Sequence, residues 1–267
     1  MVVGGGIAGL ATAVGLSRSG WQVTVHERRA TAGTAGTSLA LWPAAVRALQ
    51  HLGLQDLLGR SASSSGALLR DPGGRTLARA AGDQTLHFLD RSELVVALLG
   101  QVPRDAITWS SPVAGAADLQ RAASGADLVV GADGLDSAVR RLLFRRGRPG
   151  DRAAERRAAP RPLGMLAIRG TSTAAFPGGH DGPAVVETWG RGQVLGTTLR
   201  ADGRTNTYAC LRLGVEPDVL ASATTAPLNS ISMGSATAPE FMNRIIRLAT
   251  KATIEPTERS SPPDEIT

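Results

Sequence analysis

Cysteine, lysine, tyrosine and histidine are all scarce in this chain of 267 residues, and each scarcity excludes something. The single cysteine, Cys210, has no partner for an internal disulfide and points to a reducing compartment. His26, His51, His87 and His180 stand apart, with no metal-ligand spacing and no nearby Cys or Glu pair, so no metal site is expected. The one tyrosine, Tyr208, has no lysine near it, because the one lysine is Lys251. No serine lies in a G-x-S-x-G turn, which leaves an acyl-transfer nucleophile unsupported. There is no long apolar run, and so no expected membrane span. The apolar N-terminus has no basic region and is broken by glycines, unlike a signal peptide; the expected location is cytoplasmic.

What is present fits a folded chain. Apolar residues make up 42% of it, enough to fill a core, and the length allows one large or two small domains. The net charge is +6, but all of the basic residues except Lys251 are arginine. Nine arginines fall between Arg140 and Arg161, with Asp151 and Glu155 among them and Phe144 the one aromatic. A nucleic-acid surface would interleave stacking aromatics, so no nucleic-acid partner is expected and the segment reads as a solvated connection.

The N-terminus carries G-x-G-x-x-G at Gly4, Gly6 and Gly9. Gly4 would make the turn, Gly6 would let the backbone reach a pyrophosphate, and Gly9 would let helix and strand pack closely. Leu10 to Leu16 read as a small-residue helix ended by Gly20, and Trp21 to His26 alternate like a strand. Glu27 closes that strand about 20 residues beyond the glycines, where an acid would bind a ribose hydroxyl. Together these features predict dinucleotide binding.

A second stretch, Asp127 to Arg140, reads DLVVGADGLDSAVR. A short apolar strand runs into a glycine turn and then a helix bearing Ser137 and Arg140. Backbone N–H groups at such a turn approach a phosphate, and a helix N-terminus favours negative charge. Asp133 is placed to accept from a ribose hydroxyl or an ordered water.

The two motifs together resemble those of the class A flavin-dependent aromatic hydroxylases, the family of para-hydroxybenzoate and salicylate hydroxylases. In that family the first motif and its terminal Glu hold the ADP half of FAD. The second, D-G-x-x-S-x-x-R, is matched by Asp133, Gly134, Ser137 and Arg140, and is associated with FAD and NAD(P)H. Leu89-Asp90-Arg91-Ser92-Glu93-Leu94 matches a third shared feature, which makes Arg91 a candidate flavin contact. Ser38 to Pro43 resembles the segment beside the flavin ring. The resemblance runs from residue 2 to about 213.

The expected fold is therefore α/β, a Rossmann-like FAD-binding domain (1–60 and 86–145) with a mixed β-sheet substrate domain (61–85 and 162–213). Within the latter, residues 66–70 and 75–78 read as a hairpin, with later turns at 177–179, 190–192 and 202–203. The resemblance implies an FAD-dependent monooxygenase. NADH or NADPH would reduce the flavin, oxygen would add to give a flavin hydroperoxide, and a small, aromatic substrate would be hydroxylated. No side chain acts as nucleophile in that chemistry, and no catalytic residue is assigned. The cofactor-binding set is Gly4, Gly6, Gly9, Glu27, Arg91, Asp133, Gly134 and Arg140. The alternatives are a non-catalytic FAD-binding remnant or an NAD-dependent dehydrogenase, which Gly4, Gly6, Gly9 and Glu27 alone would suit.

Three departures from the family pattern carry expectations of their own. Only Met1, Val2 and Val3 precede the glycines, so either the central strand is short or the start codon is placed late. Residues 102–126 are too few for the usual hairpin, and only Ile107-Thr108-Trp109 reads as a strand. The family's Gly-Asp-Ala-Ala-His-type element does not occur in this sequence. Residues 214–267 read instead as a divergent, partly disordered tail, with a possible helix after Pro239, and are expected to reflect a truncation or frame change. Losing the element's hydrogen bonds, at roughly 1–3 kcal/mol each, is expected to leave FAD weakly held.

Overall fold

The computed structural model describes residues 1–33, 37–144, 153, 156, 158–172 and 182–212. Among these, the strands form two sheets. The first is parallel and four-stranded, in the order β6-β2-β1-β7, built from β1 (Val2–Val3), β2 (Val25–His26), β6 (Ile107–Thr108) and β7 (Val130–Gly131). A two-residue strand can sit at the centre because both of its edges are used. Val2 N and Gly4 N donate to Thr24 O and His26 O, while Val130 N and Ala132 N donate to Met1 O and Val3 O. The strand expected over Trp21 to His26 is confined to Val25–His26, since its neighbour offers no longer edge to pair with. Trp21 is half exposed.

Helix α1 (Ile7–Arg18) crosses from β1 to β2 and buries Leu10, Ala13 and Val14, an i, i+3, i+4 set. It ends at a Schellman turn: Gly20 takes φ +84°, with Gly20 N donating to Ser17 O and Trp21 N to Leu16 O. Three more helices follow, α2 (Pro43–His51), α3 (Arg91–Gln101) and α4 (Ala116–Ala122), and then α5 (Ala138–Phe144). The main core lies between α1, α3 and the parallel sheet, around Val2, Leu10, Val14, Val25, Leu94 and Leu98. No sequence signal had marked α4. Its cap is Asp118, whose Oδ2 accepts from Ala114 N and Gly115 N.

The second sheet has seven strands in the order β3-β5-β4-β9-β10-β11-β8. They are β3 (Ser38–Leu41), β4 (Ala62–Arg70), β5 (Thr76–Asp90), β8 (Met165–Ser172), β9 (Val185–Gly190), β10 (Gln193–Leu199) and β11 (Thr205–Arg212). β4 and β9 run parallel and the other neighbours antiparallel, so the sheet is mixed. The β4–β5 hairpin turns at Asp71, whose side chain accepts from Arg75 N, as the sequence predicts. The turns between β9 and β10 and between β10 and β11 also fall as expected; the one at 177–179 and the 214–267 tail lie outside the described residues. Sheet membership crosses the expected boundaries at 60/61 and 85/86, because β3 and residues 86–90 hydrogen-bond into the seven-stranded sheet. One cross-strand arrangement on this sheet is unusual. Glu187, Gly196 and Tyr208 stand in register across β9, β10 and β11, and the Tyr208 ring lies over Gly196 to donate its hydroxyl to Glu187. No described helix is long and apolar enough to cross a membrane.

Candidate functional site

The C-terminal ends of β1, β2 and β7, with the loop after β6, converge on a cleft of about 420 Å³. This is where ligands bind in open parallel sheets, outside the carboxyl ends of the strands. Of the cofactor-binding set expected from sequence, Gly4, Gly6, Glu27, Asp133 and Gly134 line the cleft.

The three motif glycines are there for three different reasons. Gly4 takes φ +104°, and a Cβ on it would lie 2.4 Å from Ala132 O. Gly9 stands behind the cleft, where a Cβ would lie 1.8 Å from Gly4 O, so α1 can approach β1 only without a side chain. Gly6 has an ordinary extended backbone at the N-cap of α1, and a Cβ there would meet no described atom within 4 Å. The fold does not need glycine at that position. The open space is cleft, at the end of a helix whose first amides have no partner within the helix and whose dipole favours an anion.

Glu27 is 7% exposed, and both of its oxygens are held by backbone. Oε2 accepts from Gly5 N at 2.6 Å and Oε1 from Arg29 N at 2.9 Å. A carboxylate oxygen has a second lone-pair direction, so Glu27 can still accept from a hydroxyl while fixed in place. Beside it, His26 Nδ1 pairs with Ser111 Oγ at 2.9 Å. Burial, and then the N-terminal ammonium, push His26 below its ordinary pKa.

Asp133 lines the cleft and is fixed in place locally. Its Oδ1 accepts from Ser137 Oγ at 2.5 Å and its Oδ2 from Ala138 N at 2.7 Å and Val139 N at 3.2 Å, which ties off the start of α5. Gly134, at φ +87°, then makes the turn that only glycine adopts easily. Arg140 is not brought to the cleft: its Nε donates to Ala158 O at 2.8 Å and its Nη2 to Leu135 O. Its neighbour Arg141 lines the cleft instead, with Nη1 donating to Asp136 O at 2.6 Å. Arg91 opens α3 and is not among the residues lining the cleft; its amide donates to Thr37 O at 3.2 Å and its Nη1 to Gly33 O at 2.6 Å.

Sequence reasoning missed Arg28, Arg29, Arg141 and the Ser111 to Ala114 loop, which also line the cleft. A usable signal existed for the loop. Once Ile107–Thr108 is read as a parallel strand, the residues following it must open at the same sheet end as Gly4 and Glu27.

The chain matches known proteins in both sequence and fold. The 3-amino-4-hydroxybenzoate 2-monooxygenase of Streptomyces cremeus is 29% identical, over 81% of this chain and 57% of that protein. A putative 2-heptyl-3-hydroxy-4(1H)-quinolone synthase of Rhodococcus erythropolis is 34% identical, over 53% of this chain and 40% of its own length. The chain thus spans about half the length of the relatives it matches. Among solved structures, Klebsiella pneumoniae HpxO complexed with FAD and uric acid superposes with a TM-score of 0.61 at 20% identity, covering 83% of this chain and 59% of that one. The 2,6-dihydroxypyridine-3-hydroxylase from Arthrobacter nicotinovorans gives 0.61 at 21%, over 81% and 56%. At such identities the likeness is one of fold. Residues 1–139, more than half of the 267, match the family model described as FAD dependent oxidoreductase, and the chain belongs to that family.

Proposed function

We propose that this chain is the FAD-holding and sheet-bearing part of a monooxygenase that takes electrons from NADH or NADPH and hydroxylates a small aromatic substrate with O2. The supporting observation is the wall of the cleft at Gly6, where an N-cap glycine unneeded by the fold faces open space beside the buried, amide-held Glu27. These residues fit FAD. When bound, FAD supplies the redox chemistry, accepting electrons from the nicotinamide and activating oxygen.

The chain's own residues bind and orient. Gly6 and the α1 N-terminus take the pyrophosphate, as a Cβ-free backbone at a helix start can. Glu27 accepts from the adenosine ribose. Asp133 holds the Gly134 turn in shape by capping α5, and Arg140 braces the same turn through Leu135 O rather than reaching the cleft. Arg91 holds the flavin side, and the seven-stranded sheet offers the substrate face. The names of the relatives support a small aromatic substrate: the Streptomyces protein is named for hydroxybenzoate chemistry, and the Klebsiella structure holds FAD and uric acid.

The test is a titration of the purified chain with FAD, ADP and NAD⁺, read by flavin fluorescence and visible absorption, followed by substrate-dependent NAD(P)H oxidation. Uptake of FAD with a yellow spectrum and hydroxylated product supports the proposal. A protein that is colourless once excess FAD is removed favours the non-catalytic remnant. Tighter binding of NAD⁺ than of FAD would return the dehydrogenase reading, which the family match disfavours.

A further inference from the structure

Asp90 occupies the N-cap of α3, where an aspartate ordinarily accepts from the helix's own first amides. It makes no such cap. Its Oδ2 accepts instead from Arg200 Nη2 at 2.7 Å. Arg200 follows the end of β10, and β10 is separated from β5 by β4 and β9, so the contact exists because the sheet curls. The Arg200 side chain is only 8% exposed, and the same guanidinium also grips Asp202 in the β10–β11 turn, Nη2 to Oδ2 at 3.1 Å and Nε to Oδ1 at 3.2 Å. Arg204 Nη2 holds Asp202 from outside at 2.6 Å.

The residue after Asp90 is Arg91. Its amide and its guanidinium bind Thr37 O and Gly33 O, two carbonyls of the segment between β2 and β3. Asp90 is thus pinned from one side by Arg200 while Arg91 is anchored from the other. An N-cap aspartate that forgoes its helix for a buried arginine on a distant turn gives up its capping bonds, and gains a fixed position for the next residue. We propose that Arg200 is a positioning residue for Arg91, setting the start of α3 through Asp90; its value for FAD rests on the function proposed above.

The test uses Arg200→Lys, which keeps the charge but cannot span both carboxylates, and Asp90→Asn, which keeps a neutral acceptor. Amide hydrogen exchange around residue 91 is measured in each, and the FAD dissociation constant is measured with and without Arg91→Ala. Arg200→Lys should speed exchange at Arg91 by about tenfold while leaving the β1 amides unchanged. It should weaken FAD by about tenfold in the parent, and by less than about twofold once Arg91 is alanine, because the effect travels through that residue. Asp90→Asn should move both readouts the same way, and decides the matter if Arg200→Lys does not fold. Unchanged exchange at Arg91 in both variants, or the same FAD penalty with Arg91 removed, overturns the inference. A parent chain that takes up no FAD defeats the proposed function instead, and the exchange result still decides whether Arg200 positions Arg91.

Discussion

Substituting Gly9 and Gly6 separates a glycine required by packing from one required by a ligand. At Gly9 a new Cβ would be 1.8 Å from Gly4 O and 3.0 Å from Gly4 C, both backbone atoms of the turn that joins β1 to α1. No rotamer relieves that contact, so α1 must slide off the parallel sheet. Overpacking a rigid site costs about 1–3 kcal/mol or more, against a gain of about 1 kcal/mol in helix propensity from alanine. Gly9→Ala should therefore be destabilising by about 2 kcal/mol, a fall in Tm of about 4–8 °C for a chain of this size. Gly6→Val meets no described atom and needs no special backbone angle, so its cost is that of a poorer N-cap, below about 1 kcal/mol. If the cleft takes a pyrophosphate there, the same valine should weaken FAD at least ~100-fold, about 2.7 kcal/mol. Thermal unfolding and flavin fluorescence quenching measure the two effects on the same samples. Parental FAD affinity in folded Gly6→Val would refute the ligand role. An unchanged Tm in Gly9→Ala would refute the packing argument.

Further expectations concern single side chains. Glu27→Gln replaces an oxygen that accepts from Gly5 N or Arg29 N with an NH2 that cannot, so it should cost about 1–3 kcal/mol of stability as well as FAD affinity, more than loss of charge alone would; unfolding in denaturant checks it. Tyr208, the one tyrosine, is pushed up by burial and then by its bond to Glu187. Its neutral form is the one favoured by folding, so phenolate absorbance should be missing near pH 10, where a free tyrosine is half ionised, and the stabilisation should fade only as pH rises further. Gly196→Ala should bring that ionisation back toward pH 10. Burial alone would raise the Asp202 carboxyl, but hydrogen bonds from Arg200 and Arg204 hold it well below the usual carboxylate range. Its contribution is therefore intact above about pH 4 and declines as pH falls below that. Asp202→Asn should flatten this acid limb of the stability curve, and a limb of unchanged slope would show that other carboxylates make it.

The dinucleotide half of the fold was legible because its residues answer to backbone geometry. A positive φ at Gly4, the approach of α1 at Gly9 and the turn at Gly134 admit few other residue types, so spacing alone carries the information. Side-chain duties were less legible. Asp133 lines the cleft where a ribose acceptor is expected, but nothing in the spacing announces that it also caps α5, or that Arg141 rather than Arg140 faces the cleft. One residue along a helix turns a side chain by about 100°, and the short α5 offers no apolar stripe long enough to set that phase in advance. Helix α4 escaped notice because Ala116 to Ala122 has no buried residues and only a local cap at Asp118. The Arg200–Asp90 contact depends on the curl of a seven-stranded sheet, a property no local pattern encodes.

The bond from Tyr208 to Glu187 spans a whole intervening strand, and it passes through the space where residue 196 has no side chain. A Cβ at Gly196 would sit 2.0 Å from the ring carbon that bears the hydroxyl, so the ring could make room only by letting Glu187 go. Trp189, whose Nε1 donates to the other oxygen of Glu187 at 2.7 Å, would then hold a carboxylate that has lost its tyrosine donor. These positions on three strands therefore form one heritable unit. Drift at 196 is closed while 208 remains tyrosine, and it opens only after the ring has gone, so the order in which changes arrive at this face of the sheet is constrained as much as their identity.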